Sequence, residues 1–446
     1  MTARRFFIST GDPSGDWHGA EVARALRQLD PNVQLAGVCG PAMAAAGVHS
    51  VLPVQTLQAI TGKVGLDALG AVYGHFKLAL EVLSYLRRFK PNRVLLIDYG
   101  GFHTFLGKLL RQRGYAVDYY ILPQIWATRP WRIKNLVKAV DHAYCIFPFE
   151  PPLYAAKGIS ASFVGHPLKG QLPPPVDRRD FCLAHALHPE HPILAILPGS
   201  RRSEIVRLLP AMMQSVVLLQ QKAAEHGMTL QPVLSRAPNL PVAWFNQQLA
   251  QIPAVSQIRL TRLDALDTRL QTDVQAAEQH RAKASTDSAQ TQTLASTHAL
   301  LSVADAALVA SGTASLEAAL YQTPQVLGYK LDPITARIAL WLNRLPGIGL
   351  PNIIASPAIM ADWPKRANPV RWQPVVPELL QQEFTPEKIA LALWPLLQKE
   401  SSARKLQLQG YQRLSIALGI TDSAENAAQS AAQKVASGVM RASLAQ

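Results

Sequence analysis

The sequence predicts an α/β protein with two doubly wound domains, each a parallel sheet with helices on both faces. Short apolar runs alternate with amphipathic segments of helical period along most of the 446 residues. Glycine-containing turns repeatedly join the end of an apolar run to the start of a helix. A chain of this length with 48% hydrophobic residues exceeds what one core usually holds, so two domains are expected.

The composition narrows the class of partner and the compartment. A formal net charge of +14 and a pI near 9.8 favour nucleic acid, an anionic membrane or a phosphorylated substrate. Nucleic acid is the least favoured, because the sequence has no zinc-finger spacing, basic tail or aromatic RNA-binding motif. The cysteines at 39, 145 and 182 lack disulfide or metal-ligand spacing, and no signal peptide or membrane-spanning run is recognisable, so a cytoplasmic chain is expected.

The first half begins with a strand at residues 6–9 and the glycine-rich turn GDPSGDWHG before a helix over 20–29. The turn lacks the GxGxxG pattern, so it either brings a sugar or phosphate close to its backbone or is a tight structural turn. After a strand at 34–38, an amphipathic segment covers 66–89. Its apolar stripe either packs on the core or meets acyl chains and anionic head groups, and consists of Val72, Phe76, Leu80 and Leu83.

A strand at 93–97 is nearly all apolar, as expected of a strand that is covered on both faces, and Asp98 follows it. The carboxyl ends of strands line the ligand crevice of an open parallel sheet, so Asp98 places a carboxylate there. This residue is either a general base or only the carboxylate that precedes the next helix, over 104–113. A strand at 116–121 then leads into the loop LPQIWATRPWR, which suits ligand binding, although Trp126 also suits packing.

Short strands at 143–146 and 162–164 and the motif GHPL complete a first domain over 1–168, and the proline-rich stretch 169–191 predicts a connection. The second domain starts with a strand at 193–197 and the stretch LPGSRRSE, which turns through Gly199 into a helix. Backbone N–H groups and two arginines converge there. They form either a site for phosphate or pyrophosphate, or an ordinary capped helix beside solvated arginines.

The remainder of the second half repeats the strand, turn and helix pattern. A strand at 229–234 is followed by a polar surface insertion at about 261–297, and a buried strand at 306–310 leads through SGTASLE into a helix. Glu317 in that helix either accepts hydrogen bonds from a ribose or only suits the helix dipole. A strand at 325–329 precedes LPGIGLPN, whose glycines suit closure over a ligand. Counted with its connecting stretch, the second domain is expected over 169–385, before a helical segment over 386–446.

Nine motifs, in one order and over nearly the whole chain, resemble those of the lipid-A-disaccharide synthase family: GDPSGD, IDYGGF, PQIWA, FPFE, VGHPL, LPGSRRSE, SGTASLE, LPNIIA and PELLQ. The resemblance implies a GT-B fold, in which two Rossmann-like domains face one another across a cleft. It implies an inverting, metal-independent glycosyl transfer without a cofactor. In that reaction 2,3-diacylglucosamine moves from UDP to the 6-hydroxyl of 2,3-diacylglucosamine 1-phosphate, which gives a β-1,6 disaccharide and UDP.

The resemblance also assigns roles to residues at matching positions. The family's aspartate falls on Asp98, which is expected to act as general base on the acceptor hydroxyl. Residues of the family's GSR motif are expected to stabilise the departing pyrophosphate, namely Gly199, Ser200 and Arg201. Residues of its SGT motif and the following glutamate are expected on phosphate and ribose, namely Ser311, Gly312, Thr313 and Glu317. Further substrate contacts are expected from Ser14, Asp16, Trp126 and Asn352.

The chain departs from the family mainly on the acceptor side. The family usually reads DAPDFN where this chain reads DYGGFH, so the carboxylate expected three residues after Asp98 is missing. Gln124, Thr128 and Gly170 replace a serine, a tryptophan and an acidic residue, and a glutamate expected around 62–66 is absent. A related GT-B enzyme with an altered acceptor, and a catalytically weakened paralogue that still binds a UDP-sugar or a membrane lipid, therefore stay open.

The expected substrates carry acyl chains, which indicates where the protein would work. We expect peripheral attachment to the inner face of the cytoplasmic membrane, through the apolar and basic surface around 66–93. The expected partners are UDP-diacylglucosamine, an acylated glucosamine phosphate and an anionic membrane surface, without nucleic acid. The sequence does not predict an oligomeric state.

Overall fold

A computed structural model of the chain describes residues 3–53, 68–170, 172–264, 296–420 and 429–444. The chain divides into two compact units. The first unit comprises Met1–Gly170, Trp363–Lys365 and Leu418–Gln446, and the second comprises Gln171–Asp362 and Arg366–Ala417. Each unit combines one parallel sheet with helices, which confirms the predicted α/β class.

Within the described residues, seven parallel strands form the sheet of the first unit: β1 (Arg5–Ser9), β2 (Gln34–Cys39), β3 (His49–Pro53), β4 (Arg93–Ile97), β5 (Val117–Tyr120), β6 (His142–Cys145) and β7 (Ser160–Phe163). Their order is β3-β2-β1-β4-β5-β6-β7, so the direction of winding reverses between β1 and β4. In open α/β sheets, ligands bind outside the carboxyl ends of the strands at such a reversal. Asp98 follows β4 at this point.

Helices of the first unit connect these strands: α1 (Pro13–Leu29), α2 (Pro41–Ala45), α3 (Ala68–Phe89), α4 (Gly100–Arg111), α5 (Ile125–Thr128), α6 (Ile133–Val137) and α7 (Glu150–Ala155). α1 begins at Pro13 rather than at residue 20, because the Asp12 side chain accepts a hydrogen bond from the Gly15 N–H at 2.6 Å and caps the helix. Proline suits the first helical position, since its missing N–H has no partner there.

The amphipathic helix α3 packs on the core through a different face from the predicted stripe. Of that stripe, Leu83 is buried, whereas Phe76 and Leu80 are 48% and 46% exposed. The side chain of Val72 and residues 66 and 67 lie outside the described residues. The core is contacted instead by the face that carries Leu78, Ala79, Val82 and Leu86.

The second unit has a parallel sheet with six strands in the described part of the chain: β8 (Ile193–Leu197), β9 (Gln231–Arg236), β10 (Thr261–Asp264), β11 (Ala306–Ala310), β12 (Gln325–Tyr329) and β13 (Glu378–Leu380). The order β10-β9-β8-β11-β12-β13 reverses between β8 and β11. Val309 of β11 pairs with Leu197 of β8, so the turns LPGSRRSE and SGTASLE follow neighbouring strands. This sheet brings both motifs to one reversal point.

The helices of the second unit are α8 (Arg178–Ala184), α9 (Arg202–Glu225), α10 (Val242–Ala250), α11 (Thr297–Val303), α12 (Thr313–Leu320), α13 (Pro333–Leu342), α14 (Leu350–Ala355), α15 (Pro386–Leu397) and α16 (Ser402–Ala417). Part of the expected polar insertion belongs to the sheet, because Thr261 to Asp264 pair with β9 as β10. The part of the insertion at 265–295 lies outside the described residues.

The C-terminal segment, expected as one helical piece over 386–446, is divided between the units. α15 and α16 belong to the second unit, whereas α17 (Ala431–Leu444) packs on α1 of the first. α17 also lies close to β6, and Gly438 allows that approach, because a Cβ there would lie 2.6 Å from the hydroxyl oxygen of Tyr144. No helix in the described residues is both long and apolar enough to span a bilayer.

Candidate active site

Asp98 lies at the carboxyl end of the buried strand β4 and has a left-handed backbone. The φ of Asp98 is +52° and that of Tyr99 is +57°, values in a region that residues other than glycine rarely adopt. Left-handed geometry costs roughly 1–2 kcal/mol per residue, so two in succession need support from their surroundings. The Tyr99 N–H donates to Oδ1 of Asp98 at 2.7 Å, which folds the carboxylate back over the turn.

Two buried side chains hold this turn through its main chain. Both donate to the backbone carbonyl of Asp98, His103 from Nδ1 at 2.7 Å and Tyr119 from its hydroxyl at 2.8 Å. Burial lowers the pKa of His103 to about 4, so the ring is neutral near pH 7 and has one donating and one accepting nitrogen. Its Nε2 lies 2.9 Å from Oγ of Ser9, which fits a hydroxyl donating to that nitrogen.

The environment of the Asp98 carboxyl suits proton transfer. Burial, followed by the charge of Asp12, raises its pKa to about 6, against the opposing effect of the Tyr99 hydrogen bond. A base whose pKa lies near the working pH is efficient in proton transfer. The ring of Tyr99 packs on Gly11, where a Cβ would lie 2.0 Å from its Cγ, so glycine is required at that position.

The two residues carried over from the SGD motif have different environments. Ser14 is exposed in the first turn of α1. Asp16 is only 3% exposed, and its carboxylate accepts hydrogen bonds from the N–H groups of Gly40, Ala42 and Met43 at 2.6, 2.9 and 3.3 Å. Asp16 therefore caps α2 from inside the unit, in place of the expected contact with a sugar.

Trp126 is fully buried and belongs to the core of the first unit. Its ring meets Phe147 and Phe149 edge-on, with centroids 6.0 and 5.0 Å away, and its Nε1 donates to Oε1 of Glu150 at 3.0 Å. Burial raises the pKa of Glu150 to about 7, and the hydrogen bond from Trp126 is the leading opposing effect. The structure therefore gives Trp126 a core role in place of the expected substrate contact.

The turn LPGSRRSE contains an internal anion. Gly199 has a φ of +107°, and Oε2 of Glu204 accepts from the N–H groups of Ser200 and Arg201 at 3.1 and 3.2 Å. The same carboxylate pairs with Nη1 of Arg201 at 3.1 Å. The N–H groups that the sequence predicted to bind a phosphate thus donate to Glu204. A phosphate that binds these N–H groups must displace the Glu204 carboxylate.

The two arginines of this turn differ in availability. The side chain of Arg201 is 74% exposed, and the pair with Glu204 leaves most of its surface in solvent. Arg202 instead lies over the ring of Trp244, with its guanidinium carbon 5.0 Å from the ring centroid. Arg201 is therefore the more available of the two for an anionic ligand.

The second turn, SGTASLE, offers an accessible start of α12. Gly312 has a φ of +149°, and both Gly312 and Thr313 are exposed, whereas Ser311 is half-buried. Glu317 is 5% exposed, and its Oε2 lies 3.5 Å from Nε2 of His298. No group of three His, Cys, Asp or Glu side chains within the described ranges is arranged to hold a metal ion.

Asn352 is completely buried, and its amide joins α14 to the segment before β13. Its Nδ2 donates to the carbonyl of Val376 at 2.7 Å and to Oε1 of Glu378 at 2.6 Å, and its Oδ1 accepts from the N–H groups of Val375 and Val376. Glu378 also accepts from the N–H groups of Ile348 and Gly349. The structure thus gives Asn352 a structural role, and it anchors the loop that the sequence suggested could close over a ligand.

The sequence alone did not indicate which side chains hold the Asp98 turn, the LPGSRRSE turn and the loop before Asn352. His103 and Tyr119 gave no signal, because a hydrogen bond to a main-chain carbonyl leaves no pattern in the sequence. Glu204 did give one, since a glutamate three residues into a helix is the usual partner of a capping box. Glu378 lay within the quoted motif PELLQ, but its partners are about thirty residues away along the chain.

Comparisons with known proteins agree with this architecture. A family profile described as lipid-A-disaccharide synthetase matches residues 6–268 and 260–435. The lipid-A-disaccharide synthase of Coxiella burnetii (strain Dugway 5J108-111) is 34% identical over 89% of this chain and 90% of its own length. That of Koribacter versatilis is 32% identical over 98% of this chain and 99% of its own length.

Two solved structures share the fold at low sequence identity. MurG of Acinetobacter baumannii aligns with a TM-score of 0.51 and 12% identity, over 98% of this chain and 99% of its own. The calicheamicin glycosyltransferase CalG4 aligns with a TM-score of 0.51 and 14% identity, over 99% of this chain and 98% of its own. Together with the two parallel sheets, they show the GT-B fold.

Proposed function

The chain belongs to the lipid-A-disaccharide synthase family and is a glycosyltransferase of lipid A disaccharide synthesis, and from this premise we propose its substrates and the roles of its residues. The proposed donor is UDP-2,3-diacylglucosamine, and the proposed acceptor is 2,3-diacylglucosamine 1-phosphate. The acceptor 6-hydroxyl attacks the anomeric carbon of the donor as the bond to the UDP phosphate breaks. The products are the β-1,6 disaccharide 1-phosphate and UDP.

Asp98 is the proposed general base. The observation that carries the proposal is its place after β4, beside the reversal of strand order, where His103 and Tyr119 hold its backbone carbonyl. Its carboxylate accepts the proton of the 6-hydroxyl, which makes that oxygen a better nucleophile. His103 and Tyr119 are proposed as positioning residues that do not touch the reacting atoms. They position the base, since they hold its carbonyl and therefore the turn that directs its carboxylate.

The donor nucleotide is assigned to the two turns of the second unit. Arg201, with Gly199 and Ser200, is proposed to stabilise the charge that develops on the departing pyrophosphate. The exposure of Arg201 supports this role, and Glu204 provides a carboxylate that the pyrophosphate replaces on the N–H groups. Residues of the second turn are proposed to hold phosphate and ribose, namely Ser311, Gly312, Thr313 and Glu317.

Ser14 is retained as a proposed sugar contact because it is exposed in the first turn of α1, two residues after Asp12. Asp16, Trp126 and Asn352 are left out of the binding proposal. Each is nearly or completely buried and has specific hydrogen-bond partners inside its own unit.

We also propose peripheral attachment to the cytoplasmic face of the membrane through α3. Phe76 and Leu80 are one helical turn apart and exposed, Lys77 lies between them, and Arg87 and Arg88 are near the end of the helix. Exposed apolar side chains beside cations suit the boundary between acyl chains and anionic head groups. Replacing Phe76 and Leu80 by Gln should reduce co-sedimentation with phosphatidylglycerol vesicles at low salt. Unchanged co-sedimentation would contradict the attachment.

The proposed reaction is tested by incubating the purified chain with UDP-diacylglucosamine and diacylglucosamine 1-phosphate and analysing the lipids by mass spectrometry. We expect a disaccharide 1-phosphate and one UDP released per disaccharide. UDP release that requires a different acyl sugar would indicate a related enzyme with an altered acceptor. Saturable UDP binding without any transfer would indicate the weakened paralogue.

A further inference from the structure

A cavity of about 300 Å³ lies within the first unit beside the start of α4. On one side, α4 contributes Gly101, Phe105 and Lys108. On the other side lie Ile125 and Arg132, from the PQIWA motif and the basic stretch after it. Because α4 begins two residues after the proposed base, the cavity lies next to that base along the chain.

Positive charge is concentrated at this cavity. Among the described residues that line it, Lys108 and Arg132 are cationic and none is acidic. Partial burial, and then the charge of the nearby Arg129, lower the pKa of the Arg132 guanidinium. Arginine stays charged under these conditions, so like charges are held close together. Arg129 is not among the described residues that line the cavity, so it repels Arg132 from outside it. An anion bound in the cavity against Arg132 would offset this repulsion and accept charge-assisted hydrogen bonds.

The remaining wall of the cavity is mostly apolar, with Thr104 and Asn135 as its uncharged polar side chains. Ile125 and Leu136 are buried, and the ring of Phe105 is 42% exposed. A site for a free inorganic anion would not need such a wall, whereas a phosphorylated lipid presents an anion and acyl chains together. The combination therefore suits a phosphate monoester that is attached to an acylated sugar.

Gly101 makes room for an anion in this cavity. A Cβ at Gly101 would meet no atom within 4 Å, so the position has space for a side chain. An aspartate at this position would add negative charge to the cavity wall. Glycine leaves the cations there without such an opposing charge.

We propose that this cavity binds the 1-phosphate of the acceptor, with Lys108 and Arg132 on the phosphate and Phe105 and Ile125 beside an acyl chain. The proposal rests on the proposed function for the identity of the sugar, but the recognition of a phosphate monoester rests on the cavity itself. The headgroup of an anionic membrane phospholipid presents the same phosphate chemistry to these cations. The test has separate arms for these two sources.

The first arm measures binding by calorimetry without the donor. The two probes are glucosamine 1-phosphate carrying two hexanoyl chains, and the same acylated sugar with a hydroxyl in place of the phosphate. We expect the phosphorylated probe to bind at least about ten-fold more tightly, since hydrogen bonds between charged groups are the strong ones. Equal affinity of the two probes would overturn the proposal.

Variants locate this preference. It should fall about ten-fold or more in the double variant Lys108→Ala/Arg132→Ala and in Gly101→Asp, which adds a charge where space exists. Two control variants should keep the preference for the phosphorylated probe. Gly101→Asn adds a side chain of similar size without the charge, and Lys134→Ala/Lys138→Ala removes equal charge outside the cavity, from α6 and the residue after it. Thermal melting checks that each variant is folded. A preference that survives in both cavity variants would overturn the proposal.

The second arm uses vesicles of phosphatidylglycerol. If the cavity variants lose vesicle binding and keep the preference for the phosphorylated sugar, the cavity receives a lipid headgroup and the proposal is wrong. Failure of the proposed function looks different. In that case the wild-type chain forms no disaccharide, while the phosphate preference and its loss in the cavity variants remain.

Discussion

His103 donates a hydrogen bond from Nδ1 to the backbone carbonyl of Asp98 at 2.7 Å, and this contact relates the base to the interior of the first unit. The bond reaches the main chain rather than the carboxylate. His103 is fully buried and neutral, so it holds the left-handed turn without adding a charge beside the base. The bond from His103 therefore does not occupy the Asp98 carboxylate, which accepts the Tyr99 N–H at Oδ1 and can take the proton of the acceptor hydroxyl.

Loosening this turn should slow transfer without affecting the nucleotide. Tyr119→Phe and His103→Phe each remove a hydrogen bond to the Asp98 carbonyl, and a typical net value of about 1 kcal/mol predicts a fall of roughly five- to ten-fold in kcat/KM. Tyr120→Phe is the matched control, because that buried ring packs beside His18 instead. The Kd for UDP should not change. A loss of UDP affinity equal to the loss in rate would indicate general damage and contradict the positioning role.

Removing the charge of Asp98 should stabilise the fold as it removes activity. The pKa of Asp98 is raised to about 6, above the unfolded value of about 3.9, so its contribution to stability is full below about pH 4 and is lost as pH rises through 6. The ionised carboxylate then costs on the order of 2–3 kcal/mol, at 1.36 kcal/mol per pKa unit. Asp98→Asn avoids that cost and keeps an oxygen for the Tyr99 N–H.

Thermal melting checks this prediction at two pH values. Asp98→Asn should melt several degrees above the wild type at about pH 8, and the difference should shrink at about pH 4.5. An Asp98→Asn protein that melts below the wild type at the higher pH would show that the ionised carboxylate stabilises the fold and would contradict the prediction.

The two arginines of LPGSRRSE should differ in how much each contributes to the affinity for UDP. Arg201→Ala removes an exposed guanidinium and should weaken UDP binding about ten-fold or more, with a fall in turnover, because charge-assisted bonds to phosphate are lost. Arg202→Ala removes a cation from the face of Trp244 and should change UDP binding much less. Calorimetric titration with UDP measures both. Equal effects of the two variants would remove the special role of Arg201.

Glu204 should act as an internal competitor for the nucleotide. Glu204→Gln removes a negative charge from the N–H groups of Ser200 and Arg201, so UDP should bind the variant more tightly, by a few-fold. Glu204→Ala separates charge from hydrogen bonding, since it also frees the N–H groups completely. Weaker UDP binding by Glu204→Gln would mean that the carboxylate shapes the site rather than competing for it.

Asn352 should contribute to stability rather than to binding. Asn352→Ala leaves the N–H groups of Val375 and Val376 without their buried acceptor, and each unsatisfied group costs about 1–3 kcal/mol. We expect a clearly lower melting temperature and an unchanged Kd for UDP in the fraction that remains folded. Ser311→Ala, on the accessible turn, is the contrasting variant and should weaken UDP binding with little effect on melting. Normal melting of Asn352→Ala with a loss of UDP affinity would return Asn352 to the donor site.

The place of Asp98 could be predicted from the sequence, but its conformation could not. An apolar run followed by a carboxylate predicts a buried strand with an acid at its end, and the parallel sheet puts that end at a ligand site. The positive φ at Asp98 and Tyr99 has no signal, because neither residue is a glycine. Tertiary contacts from His103 and Tyr119 make the conformation possible.

The buried residues of the motifs show what a sequence motif alone cannot predict. Asp16, Trp126 and Asn352 lie in motifs of the family, and a motif does not distinguish a residue that binds substrate from one that holds the turn carrying it. Burial together with hydrogen-bond partners inside the same unit distinguishes these roles, and both depend on packing from distant parts of the chain. The partners of Asn352, for example, are more than twenty residues away.

The pH dependence of kcat/KM for the acceptor, at saturating UDP-sugar, tests whether Asp98 is the general base. Because the base must be ionised in the enzyme form that captures the acceptor, kcat/KM should fall about ten-fold per pH unit below about pH 6 and level off above it. Asp98→Asn should lose roughly 10²–10⁴-fold at the plateau and show no such limb. A wild-type profile that is flat from about pH 5 to about pH 7, or an Asp98→Asn protein with full activity, would contradict the assignment of Asp98 as the base.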